Sequence, residues 1–144
     1  LKKEILEKTL SIGFSQVAQS EEVRKFLETS HKTADNQIQT LSNILKKDNL
    51  PVTMSWESEI STSQESPFSD KLMLYHMGFL LQTAQAYHGT GLATAIRTDL
   101  AVTYKKIILK NIMVTKEWFN LMTEFKWLEE PPLAPNRKKL AQDK

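Results

Sequence analysis

The sequence predicts an all-α protein, a four-helix bundle, on three observations: where the prolines fall, how the apolar residues are spaced, and one long uninterrupted helical stretch. All five prolines stand at two places, Pro51 and Pro67 around a middle segment and Pro131, Pro132 and Pro135 near the end. Proline is excluded from helix interiors, so the stretches between these places are free to be helical. From Thr98 to Glu130 there is neither glycine nor proline, and Tyr104, Ile108, Trp118, Met122 and Phe125 fall at helical spacing. A helix of that length cannot bury its apolar stripe alone, so other helices must lie alongside it.

The first helix is expected over Lys2 to Ala18, with Leu6, Leu10, Phe14 and Val17 on one side and Gly13 weakening it by about 1 kcal/mol relative to alanine. The chain opens at Leu1 rather than Met, already inside this pattern, which implies that an N-terminal part is missing and the helix truncated. Ser20 reads as the N-cap of a second helix, Glu21 to Lys47, with Glu21 and Glu22 in the favourable first turn. Its seam is heptad-like: Val23, Leu27, Ser30, Ala34, Gln37, Leu41 and Ile44. The centre of that seam is small and polar.

Ser69 reads as the cap of the third helix, with Phe68 placed to staple Met73. Leu72, Met73, Leu74, Tyr75, Met77, Phe79, Leu80 and Leu81 make this helix apolar almost all round, which predicts cover on more than one side. The pattern thins at His88, Gly89, Thr90 and Gly91, and a turn near Thr94 to Arg97 leads to the last helix.

The segment from Asn49 to Phe68 is long for an unstructured connection. Extended, it reaches roughly 60 Å, whereas a helix of the second helix's length spans only about 40 Å. It can therefore travel the whole bundle and make helices two and three parallel, with Met54, Trp56 and Ile60 as anchors. A four-helix bundle with one such crossover is the ferritin-like arrangement. The domain is read as residues 1–130, with the crossover at 49–68 and a polar tail at 131–144.

Composition narrows the function classes. With 19 basic and 17 acidic residues the formal charge is +2, without the basic excess of a nucleic-acid binder. Mean hydropathy is −0.39 and no apolar run approaches the roughly 20 residues of a membrane span. Cysteine is absent, so disulfides, thiolate metal sites and thiol nucleophiles are excluded together.

The stretches Pro67-Phe68-Ser69-Asp70-Lys71-Leu72-Met73-Leu74-Tyr75-His76, Ala93-Thr94-Ala95-Ile96-Arg97-Thr98-Asp99-Leu100 and Trp127-Leu128-Glu129-Glu130-Pro131-Pro132 resemble a known family. It is the spore-coat-protein-like family of spore-forming Gram-positive bacteria, a ferritin-like domain of unknown function that is distantly similar to coat protein F. The resemblance is most specific from Pro67 to Pro132 and weak before Asn49. It implies a setting in sporulation, synthesis in the cytoplasm followed by a place in the spore coat, and members that often carry two such domains in tandem.

Ferritin-like metal enzymes take a Glu from each of two helices and a Glu-x-x-His from each of the other two. Glu28-Thr29-Ser30-His31 supplies one such pattern, while Glu117-Trp118-Phe119-Asn120 has asparagine where the ligand histidine belongs. Glu28 shares a helical row with Glu21 and Asp35, and Glu117 with Lys110 and Glu124, rows that read as solvated. His76 lies four residues after Leu72 and three before Phe79, which points it inward, and His31 flanks the seam of the second helix. A buried polar layer with Ser30, Gln37 or Tyr104 outweighs a metal site for these histidines. Asp70 and the Arg97-x-Asp99 pair read as capping and an end-of-bundle ion pair.

The sequence therefore points to a non-enzymatic structural or assembly module without catalytic residues or cofactor. Its partner would be a second copy, a tandem sister domain or other coat proteins, with Trp56, Phe68 and Trp127 as interface candidates. One alternative is a ferritin-like metal-binding protein or oxidase using His31, His76 and Glu28. A third is a small-molecule pocket lined by Tyr75, Tyr87 and Tyr104.

Overall fold

In the computed structural model, which describes residues 1–128 and 132–142, four long helices form the body of the molecule: α1 Lys2–Val17, α2 Glu21–Lys47, α3 Asp70–Thr94 and α4 Thr98–Glu124. A single 3-10 turn, Glu57–Glu59, interrupts the crossover, and a short exposed helix, α5 Arg137–Gln142, lies in the tail. Local chemistry accounts for the starts of α2 and α3. The Ser20 hydroxyl accepts from the Val23 N–H at 3.3 Å and the Ser69 hydroxyl from the Leu72 N–H at 3.2 Å, each satisfying one orphan donor of a first turn.

The ends of α2 and α4 share one device. Asn49 and Lys126 sit in the left-handed region, φ 55° and 54°. Around them the Leu50 N–H reaches the Leu45 carbonyl and the Trp127 N–H the Met122 carbonyl, both at 2.8 Å. This is the Schellman closure, built without its usual glycine. It stops α4 at Glu124, short of the Glu130 that uninterrupted periodicity predicts; Glu129, Glu130 and Pro131 lie outside the described residues.

Contacts establish the topology. Glu4 meets His88, Ser11 meets Met77 and Phe14 meets His76, so α1 and α3 are antiparallel. The three-residue turn Ala18 to Ser20 makes α1 and α2 antiparallel as well, which leaves α2 and α3 parallel, as the crossover length allows. The crossover runs along α1: Lys8 pairs with Glu57 at 2.6 Å, and Ile60 comes to 3.7 Å from where a side chain on Gly13 would begin. Further on, the Gln16 side chain donates to the Ser61 carbonyl at 3.0 Å and the Ser63 carbonyl at 2.5 Å. Of the expected anchors Ile60 is partly buried, while Trp56 and Met54 are exposed, Met54 at 82%.

The apolar core gathers Val23, Phe26 and Leu27 of α2, Met73, Leu74, Met77 and Leu81 of α3, and Val114, Trp118 and Met122 of α4. Burying such side chains stabilises by about 1.5–3 kcal/mol each. The Trp118 indole lies where α3 lacks a side chain, against Gly78, and donates its N–H to the Leu74 carbonyl at 2.6 Å. α3 is covered on more than one side, by α4 and by α1, but not all round. Leu72, Tyr75, Phe79 and Tyr87 are exposed, since among the described residues no helix lies across the outer face of α3.

Candidate functional site

Polar groups inside the bundle collect in one layer to which every long helix contributes. α1 presents Glu4, Glu7 and Ser11, at spacings of three and four that set them on one helical face. α2 brings Ser30, Thr33 and Gln37, α3 brings His88, and α4 brings Asn111; all are buried. The His88 Nε2 donates to Glu4 Oε1 at 2.6 Å. Asn111 turns its amide nitrogen to His88 Nδ1 at 3.5 Å and accepts at its oxygen from Gln37 Nε2 at 2.6 Å. The result is a closed relay, Glu4–His88–Asn111–Gln37, with one member on each helix. Because Asn111 donates to Nδ1, the relay assigns the imidazole proton to Nε2.

Two carboxyls in one apolar interior end in opposite states. Burial alone would raise the Glu4 value, but the hydrogen bond from His88 acts against it and holds the carboxyl below its ordinary value. Glu7 has only the Ser30 hydroxyl, at 2.9 Å, to stabilise its charge; burial and the nearby charge of Glu4 raise it to about 7.

The relay leaves His88 without a free ring nitrogen. It can neither take a proton from a substrate nor ligate a metal without first breaking a bond to Glu4 or Asn111. Among the described residues no three His, Asp or Glu side chains are grouped as metal ligands. A cavity of about 650 Å³ opens at this end, walled by Leu41, Ile44, Leu45, Leu100 and Tyr104, with Glu4 and His88 at its floor. Arg97 borders it and is tied to Asp48 and, at 2.7 Å, to Asp99. The expected end-of-bundle ion pair is thus present and spans the starts of two connections.

The sequence-based candidates scatter. Glu28 and Glu117 are exposed, as the charge of their rows implies. His76 is exposed as well, which corrects its inward assignment: it lies edge-on to Phe14, 6.1 Å between ring centres, on the side of α3 next to α1. His31 is half-buried, with Nδ1 lacking a partner. Ser30 and Gln37 do join the interior polar layer, but with Glu7 and Asn111 as partners rather than His31 or His76. The histidine that counts is His88, seven residues after Leu81 and four after Ala84 on the buried row of α3. That spacing was readable; the glycines beside it disguised it as a helix end.

Asp70 works across elements, accepting from the backbone N–H groups of Gln19 at 3.1 Å and Ser20 at 2.7 Å, so that α3 holds the start of α2 in place. Phe68 is half exposed and lies edge-on to Phe14. Trp127 stacks on Phe125 at 4.6 Å and its carbonyl accepts from the Tyr75 hydroxyl. Tyr87 and Tyr104 border the end cavity, but Tyr75 is at the opposite end with Trp127, so the three tyrosines do not line one pocket.

Comparison with known proteins agrees with this architecture. A crystal structure from Bacillus halodurans C-125, of a protein provisionally named a spore coat protein, superposes with a TM-score of 0.73, covering 92% of this chain and 94% of that one at 13% identity. At that identity the likeness establishes a shared fold. No curated protein matches the chain. The model of one family, described as a protein of unknown function (DUF3231), matches residues 1–140, and this chain therefore belongs to the DUF3231 family.

Proposed function

We propose that this protein is a non-enzymatic structural module of the spore coat that acts by packing against its own kind or a coat partner. The observation that carries this reading is the closed relay. In it Glu4, His88, Asn111 and Gln37, one from each long helix, are joined by buried hydrogen bonds that tie up both ring nitrogens of His88. Such a layer fixes the register of four helices, since a shift of any one leaves a buried polar group unpaired at about 1–3 kcal/mol. The fold shared with the Bacillus halodurans protein supports the coat setting.

Glu28 and His76, two of the three residues of the ferritin-type alternative, are exposed on different helices, and no observation favours that reading. Elemental analysis of the purified full chain tests the proposal. The expected result is no stoichiometric metal; iron, manganese or zinc bound one per chain and lost on His31→Ala or His88→Ala would overturn it.

A further inference from the structure

Among the described residues the large apolar side chains left exposed on the bundle come from α3 and α4, and none from α1 or α2. The asymmetry has a sequence basis. From Leu72 through Ile96 the chain has no Asp, Glu, Lys or Arg, so the solvent side of α3 lacks the charges that solvate α2. On that side Leu72, Phe79, Ala86 and Ala93 recur every seven residues, with Tyr75, Gln82 and Gly89 three positions after the first three of them. This is a seven-residue period of apolar and small uncharged side chains, led by Leu72, Tyr75 and Phe79, which suits close approach of another helix, yet it faces away from the core residues Met73, Met77 and Leu81. A side chain added at Gly89 would meet nothing within 4 Å. α4 continues the surface, with Leu109, Ile112 and Phe119 exposed at 55%, 50% and 39%.

We infer that the outer face of the α3–α4 hairpin is a homodimer interface, in which α3 lies antiparallel on α4 of a second copy. The inference rests on the assembly reading above and adds the face and the arrangement. Area supports the occupant. Helices of this length run about 40 Å, and two packed side by side present a strip about 20 Å wide, so the face offers on the order of 800 Å², the share each partner contributes to a stable interface. The face carries its own complement, because a two-fold axis along the helices places α3 of each copy on α4 of the other.

Charge selects this arrangement over its rival. A two-fold axis perpendicular to the helices would lay α4 on α4, setting the exposed Lys105 of one copy toward Lys116 of the other, a like-charge apposition that disfavours that docking. Placing α4 on α3 sets both lysines against a helix face without charge, along which their stems can lie.

The chain has no cysteine, so introduced thiols report geometry directly. Gln85 bonds Thr115 at 2.9 Å and His88 meets Asn111, which puts Ala86 and Ile112 at one height, and rotation about an axis along the helices preserves height. The experiment mixes separately purified full-length Ala86→Cys and Ile112→Cys chains under oxidising conditions, alongside sedimentation equilibrium of the wild type, Phe79→Glu and Glu28→Lys. The expected results are a wild-type dimer and a mixed disulfide exceeding either self-disulfide by about tenfold. Association should weaken roughly 100-fold in Phe79→Glu and be unchanged in Glu28→Lys, with circular dichroism showing both variants folded.

A wild-type monomer at high micromolar concentration overturns the inference, as does a dimer indifferent to Phe79→Glu. Predominant self-disulfides overturn the arrangement. A monomer that co-sediments with phosphatidylglycerol vesicles would assign the face to lipid instead. Stoichiometric metal would overturn the parent reading and leave this face untouched, whereas a metal-free monomer overturns this inference alone.

Discussion

Replacing Glu7 by glutamine should raise the stability of this protein at pH 8 and leave it almost unchanged at pH 5. Glu7 is buried, accepts one hydroxyl hydrogen bond from Ser30, and lies within the field of Glu4, conditions that carry its carboxyl from 4.5 to about 7. Its folded value is above its unfolded one, so folding favours the protonated acid. With respect to this group, stability is fully present below pH 4.5 and is lost as pH rises through 7. At 1.36 kcal/mol per pH unit the loss approaches about 3 kcal/mol when ionisation is complete, most of it between pH 5 and 8. Glu4 has the opposite sign: its contribution is present above 4.5 and fades as pH falls through its lowered folded value, so it adds no slope in the same window.

The amide of Glu7→Gln keeps an acceptor for Ser30 and cannot ionise. Urea unfolding followed by circular dichroism, repeated from pH 5 to pH 8, should show the wild type losing about 2–3 kcal/mol and the variant staying flat, and thermal melts at pH 8 should differ by roughly 10 °C in midpoint. A wild type whose stability does not fall across this range, or a variant with the same slope, would refute the assignment of a strained, buried carboxyl.

Two glycines of α3 should respond in opposite directions to the same substitution. An added methyl at Gly78 would fall 2.3 Å from the Trp118 ring, so Gly78→Ala should cost about 2–3 kcal/mol despite the better helix propensity of alanine. Gly89→Ala, with open space around it, should stabilise by up to about 1 kcal/mol; chemical denaturation of the pair separates steric from propensity effects. Lys126→Gly relieves a left-handed residue, φ 54°, and should add about 1 kcal/mol. An unchanged or lower melting temperature would show that the Lys126 side chain contributes more than its backbone costs.

Much of the fold was legible because it is written in local rules. The caps Ser20 and Ser69, the proline-bounded crossover and the turn before Thr98 depend on chemistry within a few residues, and each element begins where those residues place it. The parallel course of α2 and α3 was made possible by the length of the crossover and is established by the contacts of α1 with α3. The end of α4 was missed because a Schellman closure with lysine at its left-handed position leaves no glycine to read. The polar layer was half legible: Ser30 and Gln37 stand on a seam whose period identifies them as inward, but their partners cannot be read from the seam.

By itself, then, the sequence determined an all-helical bundle, a connection long enough to cross it, and a second helix whose inward seam is small and polar at its centre. Tertiary structure decided which groups meet there. Glu4 and His88 are 84 positions apart and Gln37 and Asn111 are 74, and no local periodicity links side chains on helices whose relative rotation is set by packing. The same holds for the outer face of α3. A helix apolar on every side has no preferred orientation in its pattern, so only the placement of α1 and α4 around it reveals that Leu72, Tyr75 and Phe79 are the residues left facing water.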